Sequence, residues 1–343
     1  MNNRFEHIDI AKGIAMILVV GYHTKLYNAT PELINIISFI MLPLFFFLSG
    51  VFFSYKYNLK EFLFKKSDTL LKPYFSVSII LVFFAIYKEG NLPINQILGV
   101  FYGVGDTILW DPMWFLTHLF LIYLFTYFLF RFAKFDSYHV SVQWLIISLL
   151  LIIGSYNIDM FWQIPISIFS HNFELTGLPF SMDIILITSS YFIAGKLLKN
   201  SIINFSTNQV IFYLCILILI FITIYSDAFI ELNKRIFIEP LFSIVGSICG
   251  IYIIIYISFM LQSLKKTKYL FNLIGKSSLY ILIFHGYIAH KTYDLLIKYT
   301  EEPIGMILVV LFTFTISIIT SLLLMILIKK SYYLSLFFEP RKL

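Results

Sequence analysis

The sequence predicts an all-α integral membrane protein, a polytopic bundle of about ten transmembrane helices, from three observations. Of the 343 residues, 59% are hydrophobic and 19% aromatic, whereas only 13% are charged. The mean hydropathy of +0.87 describes more apolar surface than one soluble core of this length can bury. The apolar residues are also grouped in runs that, as helices, are long enough to cross about 30 Å of hydrocarbon.

Ten apolar runs follow one another along the chain. They lie near residues 8–27, 34–55, 73–87, 113–131, 142–156, 181–198, 209–226, 236–261, 270–290 and 304–328. The connection at 156–181 contains Trp162, Pro165 and Pro179, and is a candidate for a re-entrant or interfacial segment. Because no internal repeat or soluble segment is recognisable, we expect residues 1–343 to form a single membrane domain with no fused extracytoplasmic domain.

The distribution of basic residues indicates the orientation. With both termini in the cytoplasm, seventeen of the 25 Lys and Arg residues fall in cytoplasmic segments, and Lys12 and Lys276 lie inside helices. The remaining six fall in outer segments, namely Lys25, Lys88, Lys234, Arg235, Lys291 and Lys298. This satisfies the positive-inside rule. Topology and anionic lipid therefore explain the net charge of +6, so that no nucleic-acid partner is expected. The expected location is the plasma membrane, crossed many times.

The cysteines exclude some kinds of site. The chain has two cysteines, Cys215 and Cys249, and both lie inside apolar runs. No disulfide framework or zinc-ligand spacing is available to two such residues. We therefore expect no metal site and no permanently bound cofactor.

The first apolar run, Asp9–His23, carries titratable groups into the membrane. His23 lies eleven positions after Lys12, which is close to three helical turns and roughly 16 Å. Both side chains therefore point to the same face of the helix. Charged or titratable groups at membrane depth cost several kcal/mol and usually mark a pathway or a site.

Other polar groups share these two depths. Counting about 1.5 Å per residue along each helix places three histidines at one level in the outer third of the membrane, His23, His118 and His285. The same count places Trp114, Asp183 and Glu239 in the outer third. It places the ammonium groups of Lys12 and Lys276 in the inner third. The chain is thus polarised, with imidazoles and carboxylates outward and ammonium groups inward.

This polarity fits a ligand that has phosphates at its cytoplasmic end and a reactive group about 16 Å deeper. Acyl-coenzyme A has that form, since its pyrophosphate and its thioester lie at opposite ends of a thin pantetheine arm. We expect Asp9, Lys12 and Lys276 to line the donor end. The imidazole of His23 then lies where a hydroxyl from the outer side meets the thioester, which predicts acyl transfer.

Each of these residues also has an ordinary explanation. A membrane histidine such as His118 or His285 can be a hydrogen-bonded contact between helices. Lys12 can extend its ammonium group to the headgroups. Asp183 and Glu239 can be interfacial residues, and Trp114 has the position of an aromatic-belt anchor.

Five motifs in the expected order resemble those of the membrane acyltransferase-3 family, and within it the fucose 4-O-acetylase-like branch. The family has a basic residue, ten residues and then a histidine in helix 1, which here are Lys12 and His23 after Asp9. The other four are P-L-F-F-F-L-S-G at Pro43–Gly50, W-F-L at Trp114–Leu116, P-F-S-x-D at Pro179–Asp183, and Gly275, Ser278 and His285 in helix 9. The resemblance covers nearly the whole chain.

The resemblance implies an integral membrane enzyme that moves an acyl group, commonly acetyl from acetyl-coenzyme A, to a hydroxyl of an envelope or exported glycan. It implies that His23 and Lys12 are the essential pair. Lys12 departs from the arginine of many members, so that a point charge replaces a bidentate phosphate fork. Because no extracytoplasmic hydrolase-like domain is recognisable, the membrane domain completes the transfer itself or passes the acyl group to another protein.

The expected mechanism has neutral His23 as a general base on the sugar hydroxyl, which attacks the thioester directly. Asp183 is the candidate that orients the acceptor or the ring, and Trp114 offers a face to a pyranose. His118 or His285, when protonated, stabilises the oxyanion, and Glu239 belongs to the same outer layer. A competing route first acylates His23.

A second hypothesis is an exporter of polysaccharide or lipid-linked sugar, in which the outer polar layer binds a molecule in transit. Ten helices and intramembrane titratable groups fit this function also. Against it, the sequence shows no repeated halves and no paired helices broken by glycine or proline, which are typical of transporters.

Overall fold

The computed structural model describes residues 5–25, 31–90, 93–168, 171–299 and 303–341. Most of the chain is helical. The helices are α1 (Glu6–His23), α2 (Pro31–Val51), α3 (Leu59–Lys66), α4 (Lys72–Glu89), α5 (Ile94–Tyr102), α6 (Trp114–Arg131), α7 (Val140–Tyr156), α8 (Ile185–Leu197), α9 (Lys199–Ile203), α10 (Gln209–Tyr225), α11 (Pro240–Leu261), α12 (Lys265–Lys276), α13 (Ser278–Leu296), α14 (Pro303–Lys330) and α15 (Tyr332–Phe338). A π-helical segment, Ser67–Leu71, joins α3 to α4.

Strands are few among the described residues. β1 (Trp162–Ile168) pairs antiparallel with β2 (His171–Thr176), and β3 (Phe229–Glu231) and β4 (Ile236–Ile238) form a second two-stranded sheet. The expected all-α membrane class is confirmed, because 81% of the structure is helical and neither sheet is closed. A helix pairs its own backbone N–H and C=O groups, and this is required in a membrane because hydrocarbon offers no hydrogen-bond partners.

Six helical spans in the described chain are long and apolar enough to cross a membrane. They are Leu33–Val51, Leu59–Lys88, Asp111–Arg131, Pro179–Leu197, Pro240–Leu261 and Ile304–Lys330. Two further apolar helices, α7 and α10, are shorter. α1 is not among the six, and it carries three charged residues, Glu6, Asp9 and Lys12. The number ten and the cytoplasmic position of the termini stay predictions.

Two of the expected helices differ in the structure. The run at 270–290 was expected to be one helix, and this is wrong, because the chain breaks at Ser277 between α12 and α13. The run at 236–261 begins later than expected, since Ile236–Ile238 is extended and α11 starts at Pro240. Proline fits the first helical turn, because a backbone N–H at that position would have no partner within the helix and its absence costs nothing. The connection at 156–181, a candidate for a re-entrant or interfacial segment, contains the antiparallel pair β1–β2, and its position relative to the membrane stays a prediction.

The chain divides into two compact units. The first unit comprises Met1–Phe52, Gly195–Ile230 and Phe237–Ile326, and the second comprises Phe53–Ala194, Glu231–Ile236 and Leu327–Leu343. In the first unit, α1 packs against α2, α11, α12 and α13. In the second unit, α6 packs against α3, the π-helical segment and the turn Pro179–Ile184.

Two glycines allow α1 and α12 to approach closely. A Cβ atom added at Gly13 would lie 2.3 Å from the carbonyl oxygen of Phe271, and one at Gly275 would lie 2.2 Å from that of Asp9. Both neighbours are backbone atoms, which cannot rotate away as a flexible side chain can. The salt bridge between Glu6 and Lys268, 2.6 Å long, also joins the two helices.

We expect Gly13→Ala to lower the thermal unfolding midpoint of the purified protein in detergent, because the added methyl group forces α1 and α12 apart. Overpacking of this kind costs about 1–3 kcal/mol. Gly21→Ala is the matched control on the same helix, since a Cβ atom there meets no atom within 4 Å. An equal loss of stability in the two variants would contradict the close approach of α1 and α12.

Candidate functional site

The predicted reacting residue, His23, is the last residue of α1. Its ring lies 5.0 Å, centroid to centroid, from the ring of His285, at an interplanar angle of 71°. Both histidines belong to the first unit. The structure therefore brings together two of the three histidines that the sequence places at one depth.

His285 is completely buried in α13. Its Nδ1 lies 2.7 Å from the carbonyl oxygen of Ile281 and 3.1 Å from that of Leu282. Since a carbonyl oxygen can only accept, Nδ1 carries the hydrogen and donates it. In the neutral ring Nε2 is then the acceptor nitrogen, and only protonation gives it a hydrogen to donate to an oxyanion. The oxyanion role predicted for His285 thus requires the imidazolium form.

Lys12 lies nearly three turns before His23 on α1. Its Nζ is 5.2 Å from the centre of the Phe52 ring, a cation–π contact within the first unit. Lys12 and Asp9 are both partly exposed, and the backbone carbonyl of Asp9 faces Gly275 of α12. The backbone of Asp9 thus faces α12, whereas the Lys12 side chain contacts Phe52, and the donor role of both residues stays a prediction.

The continuous helix predicted around Lys276 is wrong. Lys276 was expected inside a continuous membrane helix, but it is the last residue of α12 and is exposed. The same break changes the depth count of His285, which lies seven residues after the start of α13, or about 10 Å along its axis. A donor role for Lys276 stays a prediction on this exposed helix end.

Asp183 forms a buried ion pair with Arg235 in the second unit. Nε of Arg235 donates to Oδ2 of Asp183 at 2.7 Å, and Nη2 donates to Oδ1 at 3.1 Å. The two side chains are 0% and 1% exposed. The backbone N–H of Leu178 also donates to Oδ1, at 2.9 Å. Both carboxylate oxygens of Asp183 therefore accept hydrogen bonds from within the protein. A contact of Asp183 with a sugar stays a prediction.

Further contacts surround Arg235. Its Nη1 donates to the carbonyl of Asn233 at 2.8 Å, and its guanidinium group lies 4.8 Å above the Trp162 ring. Gly177 has a φ of +96°, and a Cβ atom there would lie 2.2 Å from Nη2 of Arg235. The Tyr102 hydroxyl donates to the Gly177 carbonyl.

Burial, and secondarily the Asp183 carboxylate, raises the pKa of the Tyr102 hydroxyl, while Arg235 opposes the shift. The raised pKa means that Tyr102 keeps its proton at neutral pH. It is then a permanent donor to the segment that carries Asp183.

His118 is completely buried on α6 and is held by the same segment. Its Nδ1 donates to the Phe180 carbonyl at 3.1 Å, and its Nε2 accepts from the Thr188 hydroxyl at 2.9 Å. The ring centroid of Trp114 lies 5.6 Å from that of His118, and Trp114 is only 5% exposed. These hydrogen bonds agree with the ordinary reading of His118 as a structural contact. The acceptor roles of both residues stay predictions.

The segment that contacts His118 has an unusual backbone. Phe180 and Ser181 have φ values of 56° and 58°, in the left-handed region. Each such residue other than glycine costs roughly 1–2 kcal/mol. The hydrogen bonds to His118 and Asp183 hold the conformation, so that the P-F-S-x-D motif forms a specific turn.

Glu239 is placed at the surface. It is exposed and has a φ of 46°, and its carbonyl accepts from the N–H of Ser243 at the start of α11. This agrees with an interfacial residue that precedes a helix, and the acceptor role of Glu239 stays a prediction.

Arg235 is the residue that sequence reasoning missed. It was counted among the outer-loop cations, but the structure buries it completely with Asp183. The sequence contains one indication of this burial, because Arg235 is the only arginine among the six predicted outer cations. Arginine suits buried ion pairs better than lysine, because its planar fork matches a carboxylate in two places.

A family model described as an acyltransferase domain, that of the acyltransferase-3 family, matches residues 5–325. The match contains the Lys12 to His23 stretch and each of the other site residues described above. No curated protein and no solved structure matches the chain.

Proposed function

Because this chain belongs to the acyltransferase-3 family, we propose that it is a membrane O-acyltransferase that moves acetyl from acetyl-coenzyme A to a hydroxyl of a cell-envelope or exported glycan. The family membership supports acyl transfer in a membrane. The donor, the acceptor, the plasma-membrane location and the fucose 4-O-acetylase-like branch are our proposals, and they rest on the motifs quoted above.

The contact between His23 and His285 is the observation that carries this proposal. His23 at the end of α1 and His285 on α13, with rings 5.0 Å apart, give a proton acceptor and a second titratable ring. Lys12, nearly three turns earlier on α1, adds a cation about 16 Å away. Pantetheine spans a comparable length between the phosphates and the thioester. Such an arrangement suits acyl transfer, because general-base catalysis needs a neutral ring within reach of the attacking hydroxyl.

In the proposed mechanism, neutral His23 removes the proton of the glycan hydroxyl while the hydroxyl oxygen attacks the thioester carbonyl carbon. The tetrahedral intermediate then expels coenzyme A as the C–S bond breaks, and the imidazolium of His23 returns the proton to the thiolate. The products are the O-acyl glycan and the free thiol. His285, held by its Nδ1 hydrogen bond, is the neighbouring ring that keeps His23 in orientation.

The alternative route through an acyl-His23 intermediate uses the same residues. Rapid quenching with labelled acetyl-coenzyme A in the absence of acceptor separates the two routes. A labelled protein that disappears on addition of glycan indicates the covalent route. Ternary-complex kinetics without such a species indicate direct transfer.

We expect Lys12→Ala to raise the apparent KM for acetyl-coenzyme A with little change in kcat, because a phosphate contact acts on the donor in both ground state and transition state. The loss of one charge-assisted contact corresponds to about 1.5–3 kcal/mol, which is roughly 10-fold or more in KM. Steady-state kinetics over a range of donor concentration measure this. Lys12→Arg should preserve the KM, and an unchanged KM in Lys12→Ala would assign Lys12 to the headgroups.

The test of the proposed function is release of free thiol. Purified protein is incubated with acetyl-coenzyme A and base-treated envelope oligosaccharides from its host, and His23→Ala serves as the inactive control. We expect thiol release that depends on the oligosaccharide and equals the O-acetyl groups found on it by mass spectrometry. Transport of the oligosaccharide into vesicles without thiol release would instead establish the exporter.

A further inference from the structure

The end of α1 is tied to α13 at a second point beyond the two histidines. Nζ of Lys25 lies 3.3 Å from Oδ1 of Asp294. The same Nζ lies 4.5 Å from the centre of the Tyr293 ring. Both Lys25 and Asp294 belong to the first unit, and Lys25 follows His23 by two residues.

Backbone geometry restricts how Lys25 can reach α13. Thr24 ends α1 by donating its N–H to Val20 and Gly21 and its hydroxyl to Gly21. Lys25 then turns into the left-handed region, with a φ of 57°. This conformation is uncommon for a residue other than glycine, and it is the one in which the Lys25 side chain contacts α13.

The partners of Lys25 are themselves held in place. Tyr293 is 5% exposed and packs in a cluster with Val309 and Val310. The second oxygen of Asp294, Oδ2, lies 3.1 Å from Nε2 of His290, one turn earlier on α13. Lys25 therefore reaches a buried aromatic face and a carboxylate that has a second partner on the same helix.

One helix thus holds α1 at two places. His285 and Asp294 are nine residues apart on α13, which is about 13 Å along the axis, and they contact His23 and Lys25 respectively. Lys25 and Asp294 are 30% and 43% exposed, and ion pairs at such exposure add little to stability. The effect of the Lys25–Asp294 pair is therefore on position rather than on stability, since the pair restricts where the end of α1 that carries His23 can lie.

We propose that Lys25 and Asp294 are a positioning pair that holds the end of α1 so that the His23 ring keeps its place against His285 during acyl transfer. The proposal rests on the proposed function, in which His23 is the reacting residue. A shift of about 1 Å in a catalytic group can cost 100-fold in rate. The pair affects the rate through His23 and touches neither donor nor acceptor.

The test compares full-length variants in one detergent, by thiol release with acetyl-coenzyme A and the envelope oligosaccharides. We expect Lys25→Met and Asp294→Asn each to lower kcat about 10-fold, with the KM for the donor and the unfolding midpoint unchanged. The double variant should lose no more than either single variant, because one interaction is removed in all three. Lys25→Arg should restore kcat, since arginine retains both the carboxylate and the ring contact.

Lys268→Met is the matched control. It breaks the Glu6–Lys268 pair at the other end of α1, where the side chains are 45% and 33% exposed. We expect its kcat to stay within about twofold of the unaltered protein. An equal fall in kcat in Lys268→Met would show that any tether of α1 has this effect, and would overturn the proposal.

Other results overturn the proposal as clearly. The pair has no positioning role if Lys25→Met and Asp294→Asn retain kcat while His23→Ala is inactive. Additive losses in the double variant, or a fall in the unfolding midpoint that matches the fall in kcat, also exclude it. An active His23→Ala variant is a different failure, since it removes the proposed function of His23 on which the pair depends.

Discussion

Replacement of His23 by alanine is expected to lower the rate of acyl transfer by a factor of about 100 to 10,000, the contribution that a general base makes. His23 is at the end of α1 and only partly buried, so that loss of its ring leaves the packing of α1 against α12 intact. The protein should therefore still be inserted in the membrane. Thiol release, measured with equal amounts of folded protein, gives the rate.

Two variants make this result specific. His23→Gln keeps a polar side chain of similar length but has no basic ring nitrogen, and we expect it to be as inactive as His23→Ala. His139→Ala removes an exposed histidine at the start of α7 and should retain the full rate. Activity of His23→Gln close to that of the unaltered protein would mean that His23 only fills space.

Arg235→Met is expected to lower the free energy of unfolding by about 3–5 kcal/mol, because it leaves the Asp183 carboxylate buried without its charge partner. The exposed fraction of the Asp183 side chain is 1%, so water cannot replace the guanidinium group. The loss should also loosen the segment that holds His118. Thermal or denaturant unfolding in detergent measures the change.

The neighbouring lysine provides the control. Lys234 pairs with Asp106 at 2.6 Å but is 49% exposed, and Lys234→Met should cost at most about 1 kcal/mol. The double variant Arg235→Met with Asp183→Asn should recover part of the loss, since no net charge then stays buried. Equal behaviour of Arg235→Met and Lys234→Met would contradict the buried ion pair.

Much of the fold follows from local patterns. The helices α2, α6, α10, α11 and α14 were predicted from runs of apolar residues, because hydrocarbon requires each backbone group to be bonded within its own segment. The interruption at Ser277 was not predictable in this way. Ser277 and Ser278 are compatible with a membrane helix, and the break lies two residues after Gly275, where α12 packs closely against the Asp9 carbonyl of α1.

The site residues of the first unit, around His23, were easier to predict from the sequence than those of the second unit, around Asp183. The spacing of Lys12 and His23 placed both on α1, and the depth count placed His118 and His285 at the level of His23 without indicating which of them is its neighbour. Asp183 was recognised as unusual, but its partner was not, since Arg235 lies 52 residues away on a loop. Lys25 was read as an ordinary outer cation, because sequence spacing gives no information on a contact with α13.

The sequence by itself determined the class of protein, its family and the two polar residues on one face of α1, because these depend on composition, local spacing and motif order. Only the tertiary structure decided which groups those residues meet. It placed His285 against His23, Asp294 against Lys25 and Arg235 against Asp183. The physical reason is that ion pairs and ring contacts form between segments far apart in the chain, where packing rather than local periodicity selects the partner.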